Sequence, residues 1–420
     1  MTRVLLLAAT NSYRAGAFLA AARRLGFDVT VASDRAQALA AANPLGHLTL
    51  DFIDVERASA AIEDFARRAP IDAVVAADDD GVVLAAAAAQ RLGLRHASVE
   101  AARAARDKLR MREGLARAGF AEPWFVAVPL EGDPAAAARR VPYPCVLKPT
   151  QLSASRGVIR ADDAWAFERA FHRIVRLLSV ERRGGPVLVE SFLPGAEVAL
   201  EGVIERGRLR VLAVFDKPDP LDGPFFEETL YVTPSRLGPA AAAAVAETTA
   251  RAAGALGLDD GPVHAELRWD GRRAAVVEIA PRSIGGLCSR ALRFGDATLE
   301  EVLLRHAAGQ PLDDVQREPR AAGVSMIPIP RGGRLAAVRG QERAQAVAGI
   351  EEVRITVPVG DRLVPLPEGA RYLGFVFARA ESPEEVEAAL REAHRRLEFD
   401  IEDDRHAPTG AAHHGDPPPA

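Results

Sequence analysis

Residues 4–9 form a short, continuous apolar run of strand length. Phe18, Leu19 and Ala22 then recur at helical spacing ahead of Gly26, a residue suited to the left-handed end of a helix. Residues 27–32 and 71–77 are further apolar runs, the second preceding a helix that begins at Gly81. Strands and helices alternating in this way predict a parallel, doubly wound sheet, a Rossmann-like unit. Its first turn, Thr10-Asn11-Ser12-Tyr13-Arg14-Ala15-Gly16, lacks the GxGxxG spacing that brings a backbone up to a dinucleotide pyrophosphate, so no NAD or FAD site is expected.

Residues 99–119 read as one basic helix closed by Gly119, with Pro123 just beyond. From about 124 to 310 strands dominate, and the loops are rich in Gly, Pro and Ser. Apolar strand runs return at 323–329, 353–359 and 373–380. A helix over 383–397 follows, with Ser382 as N-cap and Glu385 three residues on, the spacing of a capping box. Residues 406–420 lack apolar periodicity and are expected to be a disordered tail, in which His413 and His414 are linker and not metal ligands.

Composition narrows the class. At 420 residues the chain exceeds what one core organises. It is 48% hydrophobic and 26% charged, and its formal net charge of -5 offers no electrostatic reason to expect a nucleic-acid partner. Cys145 and Cys288 form neither a disulfide framework nor a zinc spacing, which fits a reducing compartment. The run at 4–9 is too short for a signal peptide or a bilayer span, so a cytoplasmic chain without membrane contact is expected.

Three segments carry candidate chemistry. In Pro144-Cys145-Val146-Leu147-Lys148-Pro149 an apolar strand delivers a lysine at its end. The following loop includes Ser153, Ser155 and Gly157, small residues that let backbone N–H groups cradle phosphate oxygens beside the lysine charge. The spacing is not that of a Walker loop, and a surface hairpin is the plain alternative. In Pro186-Val187-Leu188-Val189-Glu190-Ser191-Phe192-Leu193-Pro194-Gly195-Ala196-Glu197 an apolar strand ends at Glu190. The extended stretch after it can offer backbone groups to an adenine edge, and Glu197 can accept from ribose hydroxyls.

The third segment is two apolar strands, containing Glu266 and Glu278, joined around Asp270-Gly271. A buried carboxylate is costly without a partner, and Mg²⁺ shared with ATP phosphates would supply one. Because strand side chains alternate, the two glutamates share a face only if the connection has three residues or a bulge, with Gly271 a suitable left-handed residue. Arg282, four residues on, can meet a transferred phosphoryl group or a carboxylate substrate.

In order and spacing these segments resemble the ATP-grasp superfamily, and within it the L-amino acid ligases that form dipeptides. More distantly they resemble the biotin carboxylase and phosphoribosylaminoimidazole carboxylase ATPases. The resemblance extends over nearly the whole chain. It implies an α/β fold, α+β in its central part, with four divisions. These are a Rossmann-like pre-grasp domain (1–105), a two-subdomain ATP-grasp domain (106–310), a small β-rich closing domain (311–403) and a tail (404–420).

It also implies an ATP-dependent ligase forming C–N bonds through an acyl phosphate, with Mg²⁺, or Mn²⁺ in its place. Lys108 and Lys148 would meet the ATP phosphates, with Ser153, Ser155 and Gly157 in the loop over them. Glu190 and the backbone of Ser191, Phe192 and Leu193 would hold adenine, and Glu197 the ribose. Glu266 and Glu278 would bind the metal, and Arg282 with Lys148 would act in catalysis. Lys217, Glu228, His264 and Gly286 are further candidates for the pocket of the carboxylate and amine substrates. Many members carry Asn two residues after the second metal glutamate; here Ala280 stands there, leaving a second metal short of one ligand. A homodimer is compatible with the resemblance. A bicarbonate-activating ATPase and a non-catalytic ATP-binding module are the competing readings.

Overall fold

A computed structural model describes residues 2–10, 12–36 and 43–403; the expected tail and His413 and His414 lie outside the described residues. Near the N-terminus four parallel strands form one sheet, in the order His47–Thr49, Asp28–Ser33, Arg3–Leu7 and Ala73–Ala76. The central strand, with helices on its flanks, is buried from Val4 to Leu7, which is why it reads as an unbroken apolar run. The helix Ala15–Leu25 stops at Gly26, whose φ of 68° is left-handed. The short strand His47–Thr49 and the helix Val55–Ala66 carry too weak a pattern to be read from sequence.

The basic stretch expected to be one helix is two, Val99–Arg106 and Lys108–Arg117. Asp107 breaks it. Its backbone is extended, and its side chain accepts from the N–H groups of Leu109 and Arg110, capping the second helix. The break places Lys108 at a helix start instead of mid-helix.

A small antiparallel sheet follows, in the order Phe125–Val128, Val187–Ser191, Cys145–Pro149 and Ile159–Ala161. Phe167, Phe171, Ile174 and Leu178 of the helix Ala164–Val180 pack with Cys145, Leu147, Val187 and Val189 of this sheet.

The largest sheet has eight antiparallel strands: Ala274–Ala280, Gly261–Trp269, Ala196–Glu205, Arg208–Asp216, Leu230–Thr233, Ala321–Ile327, Gly374–Ala380 and Ile350–Ile355. Ala321–Ile327 pairs directly with Leu230–Thr233, so the hydrogen-bonded ladder crosses the boundary expected at 310–311. A separate sheet of Arg362–Leu363, Gly333–Arg339 and Glu398–Glu402 completes the C-terminal part. The helix Pro383–Arg395 packs on the Ala321–Ile327 and Gly374–Ala380 strands of the eight-stranded sheet, and both halves of its Ser382/Glu385 capping box are formed. Among the described residues no helix is long and apolar enough to cross a membrane.

Candidate active site

The hairpin that carries the two glutamates decides whether a site exists. Its connection, residues 270–273, is even in length, so regular pairing from Trp269↔Ala274 through Leu267↔Val276 would set Glu266 against Val277. Instead the register shifts between Leu267 and Glu266, and Glu266 lies directly opposite Glu278. Val277 is the extra residue. The expected bulge is present, but it lies inside the strand and not at the turn, where Gly271 is left-handed at φ 93°. Both carboxylates thereby face one cleft, of about 710 Å³ with its mouth included.

The opposite wall comes from the small sheet. Lys148 and Glu190 stand on one face of neighbouring strands, since Val146 pairs with Glu190 and Lys148 with Leu188. Lys148 Nζ is 2.6 Å from Glu190 Oε2, and Arg112 Nε is 2.5 Å from Glu190 Oε1. Burial works against the Glu190 carboxylate, but Arg112 and Lys148 outweigh it and hold its pKa down at about 2. Glu190 thus holds Lys148 with Oε2 and Arg112 with Oε1, and it lines the cleft. Along the next residues, the N–H groups of Ser191 and Phe192 donate to the carbonyls of Trp124 and Pro144. Leu193 N–H makes no hydrogen bond among the described residues and lines the cleft with Ser191 and Phe192. Of the three N–H groups in this stretch, that of Leu193 is left without a partner among the described residues.

At the cleft's inner end Lys217 is surrounded by acids. Its Nζ lies 2.7 Å from Glu197, 2.7 Å from Glu228 and 3.0 Å from Glu266. Burial disfavours the ammonium, yet these three carboxylates outweigh it and raise its pKa well above the ordinary lysine value. Glu197 also accepts from Arg268 at 2.8 Å, and Glu228 from the Tyr231 hydroxyl at 2.6 Å. Glu197, Glu228 and Glu266 each place an oxygen within 4.8 Å of the others, a grouping able to hold a cation. His264, two residues before Glu266 on the same strand face, bridges Glu201 at 3.2 Å and Glu266 at 3.5 Å. Burial favours its neutral ring, but the two carboxylates outweigh that and push it up to about 9. Lys217 and His264 thus stand behind the cleft wall and orient Glu266. Ala280 is buried opposite His264.

Glu278 meets Lys108, whose Nζ is 3.3 Å away and also donates to Leu152 O at 2.9 Å. The all-oxygen pair of Glu266 and Glu278 suits a hard divalent cation, so the residues present fit magnesium.

The loop after Lys148 is held in an unusual conformation. Ala154 and Ser155 have φ of 56° and 55°, and Gly157 has φ 70°. A Cβ on Gly157 would fall 2.6 Å from Pro149 Cγ, so only glycine fits there. Gly157 N–H donates to Pro367 O, and Arg156 to Glu368 O, which ties the loop to the C-terminal part. Ala154 and Ser155 line the cleft; Ser153 instead accepts from Arg106 at 3.3 Å. Arg282 does not line the cleft. Its Nε is 2.8 Å from Asp79 of the N-terminal unit. Burial opposes both charges, yet the pair keeps Asp79 ionised and Arg282 protonated. Gly286, at φ 61°, packs near Cys288, Met326 and Phe375, away from the cleft.

Sequence reasoning missed Arg112, Arg268 and Asp79. Arg268 had a signal, a charge two residues after Glu266 in an apolar strand. Arg112 had only its i,i+4 relation to Lys108.

A lysine at a strand end, a strained small-residue loop and paired glutamates on one hairpin, held between two sheets behind a Rossmann-like unit, define a two-subdomain nucleotide-cleft protein. Residues 141–291 match the ATP-grasp domain, 19–96 the ATP-grasp N-terminal domain and 325–402 the L-amino acid ligase C-terminal domain 2. The chain belongs to the ATP-grasp superfamily. It is 31% identical to alanine–anticapsin ligase of Bacillus amyloliquefaciens over 51% of this chain and 49% of that protein, so it spans about half the length of that relative. It is 30% identical to formate-dependent phosphoribosylglycinamide formyltransferase of Dechloromonas aromatica over 69% of this chain and 71% of that one. In fold it is similar to the L-amino acid ligase from Bacillus licheniformis, with a TM-score of 0.79 and 24% identity over 96% and 99% of the two chains.

Proposed function

We propose that this chain is an ATP-dependent carboxylate–amine ligase, joining two amino acids, or an amino acid and a related acid, with release of ADP and phosphate. The observation that carries the reading is the alignment of Glu266 with Glu278 across the Val277 bulge, facing a cleft lined by Lys108 and Lys148. The likeness to alanine–anticapsin ligase supports the substrate class.

In this reading residues 1–105 are the pre-grasp domain, 106–310 hold nucleotide and metal, and 311–403 close the site. The buried, free Cys145 and Cys288 suit a reducing cytoplasm. Lys108 and Lys148 take the phosphates under the loop of Ser153, Ser155 and Gly157. Leu193 N–H and neighbouring carbonyls meet the adenine edge, and Glu197, each oxygen of which keeps a lone pair, meets the ribose. Glu266 and Glu278 hold magnesium, which when bound neutralises phosphate charge and aligns the phosphoryl group.

A carboxylate is a poor electrophile. Transfer of the terminal phosphoryl to its oxygen, with ADP leaving, gives it a leaving group. Arg282, held on Asp79 outside the cleft lining, would have to reach the phosphoryl group to offset the charge that develops there. The loop tied to Pro367 keeps out water that would hydrolyse the acyl phosphate. The amine nitrogen then bonds to the acyl carbon and loses a proton, while phosphate departs with the electron pair of the broken C–O bond.

The test is incubation with ATP, magnesium and mixed amino acids. ADP and phosphate should form only when amino acids are present, with a product mass one water below the sum of a pair. ADP formation that depends on bicarbonate, or none above the ATP-only baseline, refutes the reading.

A further inference from the structure

We infer that a second groove, between the N-terminal unit and the two arginine-rich helices, binds the amine-bearing substrate as a zwitterion. This deepens the ligase reading and rests on it for the identity of the ligand. The groove holds about 1480 Å³ of space with its mouth included. One wall is made by residues that follow the four parallel strands, at their carboxyl ends, where open α/β sheets bind ligands. None of the side chains assigned above to nucleotide or metal lines it.

The two walls differ in charge. Asp34, Asp51, Asp79 and Asp80 stand on the strand-end side, and Arg103, Arg106, Arg110 and Arg183 on the other, where the one carboxylate, Asp107, is occupied by the Leu109 and Arg110 N–H groups and by Gln151. Arg110 and Arg183 make no side-chain hydrogen bond or ion pair among the described residues. Asp80 is largely exposed, and its nearest cation, Arg106, is 4.0 Å away. A simple anion would leave the acidic wall unmatched, and a simple cation the basic wall. A molecule with an ammonium at one end and a carboxylate at the other uses both. Phe52, Ile53 and Val55 at the rim offer apolar surface to a side chain between them, and Ile53 is 83% exposed.

Orientation follows from Asp79. Its carboxylate is 2.8 Å from Arg282 and 3.4 Å from Arg106, so it links the groove to the arginine that the ligase reading assigns to catalysis. The ammonium therefore belongs at the Asp79–Asp80 end, where Arg106 is already paired, and the carboxylate on Arg110 and Arg183, the arginines without a partner.

The test uses the full chain with the Arg110→Gln and Asp80→Asn variants, neither residue being part of the nucleotide or metal site. Probes are the twenty common amino acids and their α-amides, titrated by calorimetry with MgADP present. At least one amino acid should bind wild type, with affinity about tenfold lower in each variant while MgADP affinity stays within about twofold. The matching amide should bind wild type about tenfold more weakly than the acid, and Arg110→Gln should erase that difference. Variants that bind like wild type, amides that bind as well as acids, or no amino-acid binding each overturn the proposal. Variant-sensitive binding without amide product would sink the ligase reading alone. Amide product with an unchanged KM for the amine in both variants would sink the groove alone.

Discussion

Arg112 and Glu190 form a buried ion pair, with Nε 2.5 Å from Oε1 and side chains 2% and 3% exposed. The remaining nitrogens of the same guanidinium donate to the carbonyls of Val276 at 2.7 Å and Val277 at 2.5 Å. Val277 is the bulged residue. One side chain therefore fixes the partner of Lys148 on one wall and satisfies, on the other, the backbone groups freed by the bulge that aligns Glu278 with Glu266. A planar fork of five donors can do both; a lysine cannot.

Arg112→Met should lower stability by about 3–5 kcal/mol, because it leaves a buried carboxylate and two carbonyls short of donors. Arg112→Lys should recover less than half of that. Urea denaturation measures both, and a loss below about 1 kcal/mol for Arg112→Met contradicts the dual role.

Glu278→Gln should cut ATP turnover by about a hundredfold or more while the protein stays folded, since the side chain is 30% exposed. A coupled ADP assay and a thermal scan read the two effects separately. Near-normal turnover would remove Glu278 from the metal site.

Lys217→Met takes the ammonium away from three carboxylates that lie within 4.8 Å of one another. In chelator the variant should be destabilised by about 3–5 kcal/mol. Millimolar magnesium or calcium should restore much of this, because a divalent cation can replace the ammonium. Melting temperatures with and without metal test it; a variant insensitive to metal contradicts the grouping.

Two buried groups predict opposite pH limbs. His264 is raised from 6.5 to about 9, so its contribution to stability is complete below 6.5 and is lost as pH rises through about 9. Glu190 is lowered from 4.5 to about 2, so its contribution is present above 4.5 and is lost as pH falls towards about 2. His264→Gln should flatten the alkaline limb of the denaturation midpoint and leave the acid limb in place. Equal slopes in wild type and variant would refute the assignment.

Much of the site was legible because it violates a local pattern. Lys148, Glu190, Glu266 and Glu278 are charges set in apolar strand runs, and such positions demand a partner. Arg112 violates nothing locally. It lies among Arg103, Arg106, Arg110 and Arg117 in a stretch that reads as a solvated basic face. Asp79 is likewise hidden within Asp78-Asp79-Asp80, and its partner Arg282 is 203 positions away.

The sequence by itself determined the strand–helix alternation of the N-terminal unit, the small-residue loop after Lys148 and the glutamates that need a cation, because periodicity and the cost of a buried charge are local properties. Only the tertiary structure decided that Glu266 and Glu278 share a face. A one-residue shift reverses every following side chain, and Val277, in an ordinary apolar run, gives no local sign of being the bulge. It also decided that Arg112 serves both walls and that Asp79 pairs with Arg282, since these pairings depend on how separate elements pack.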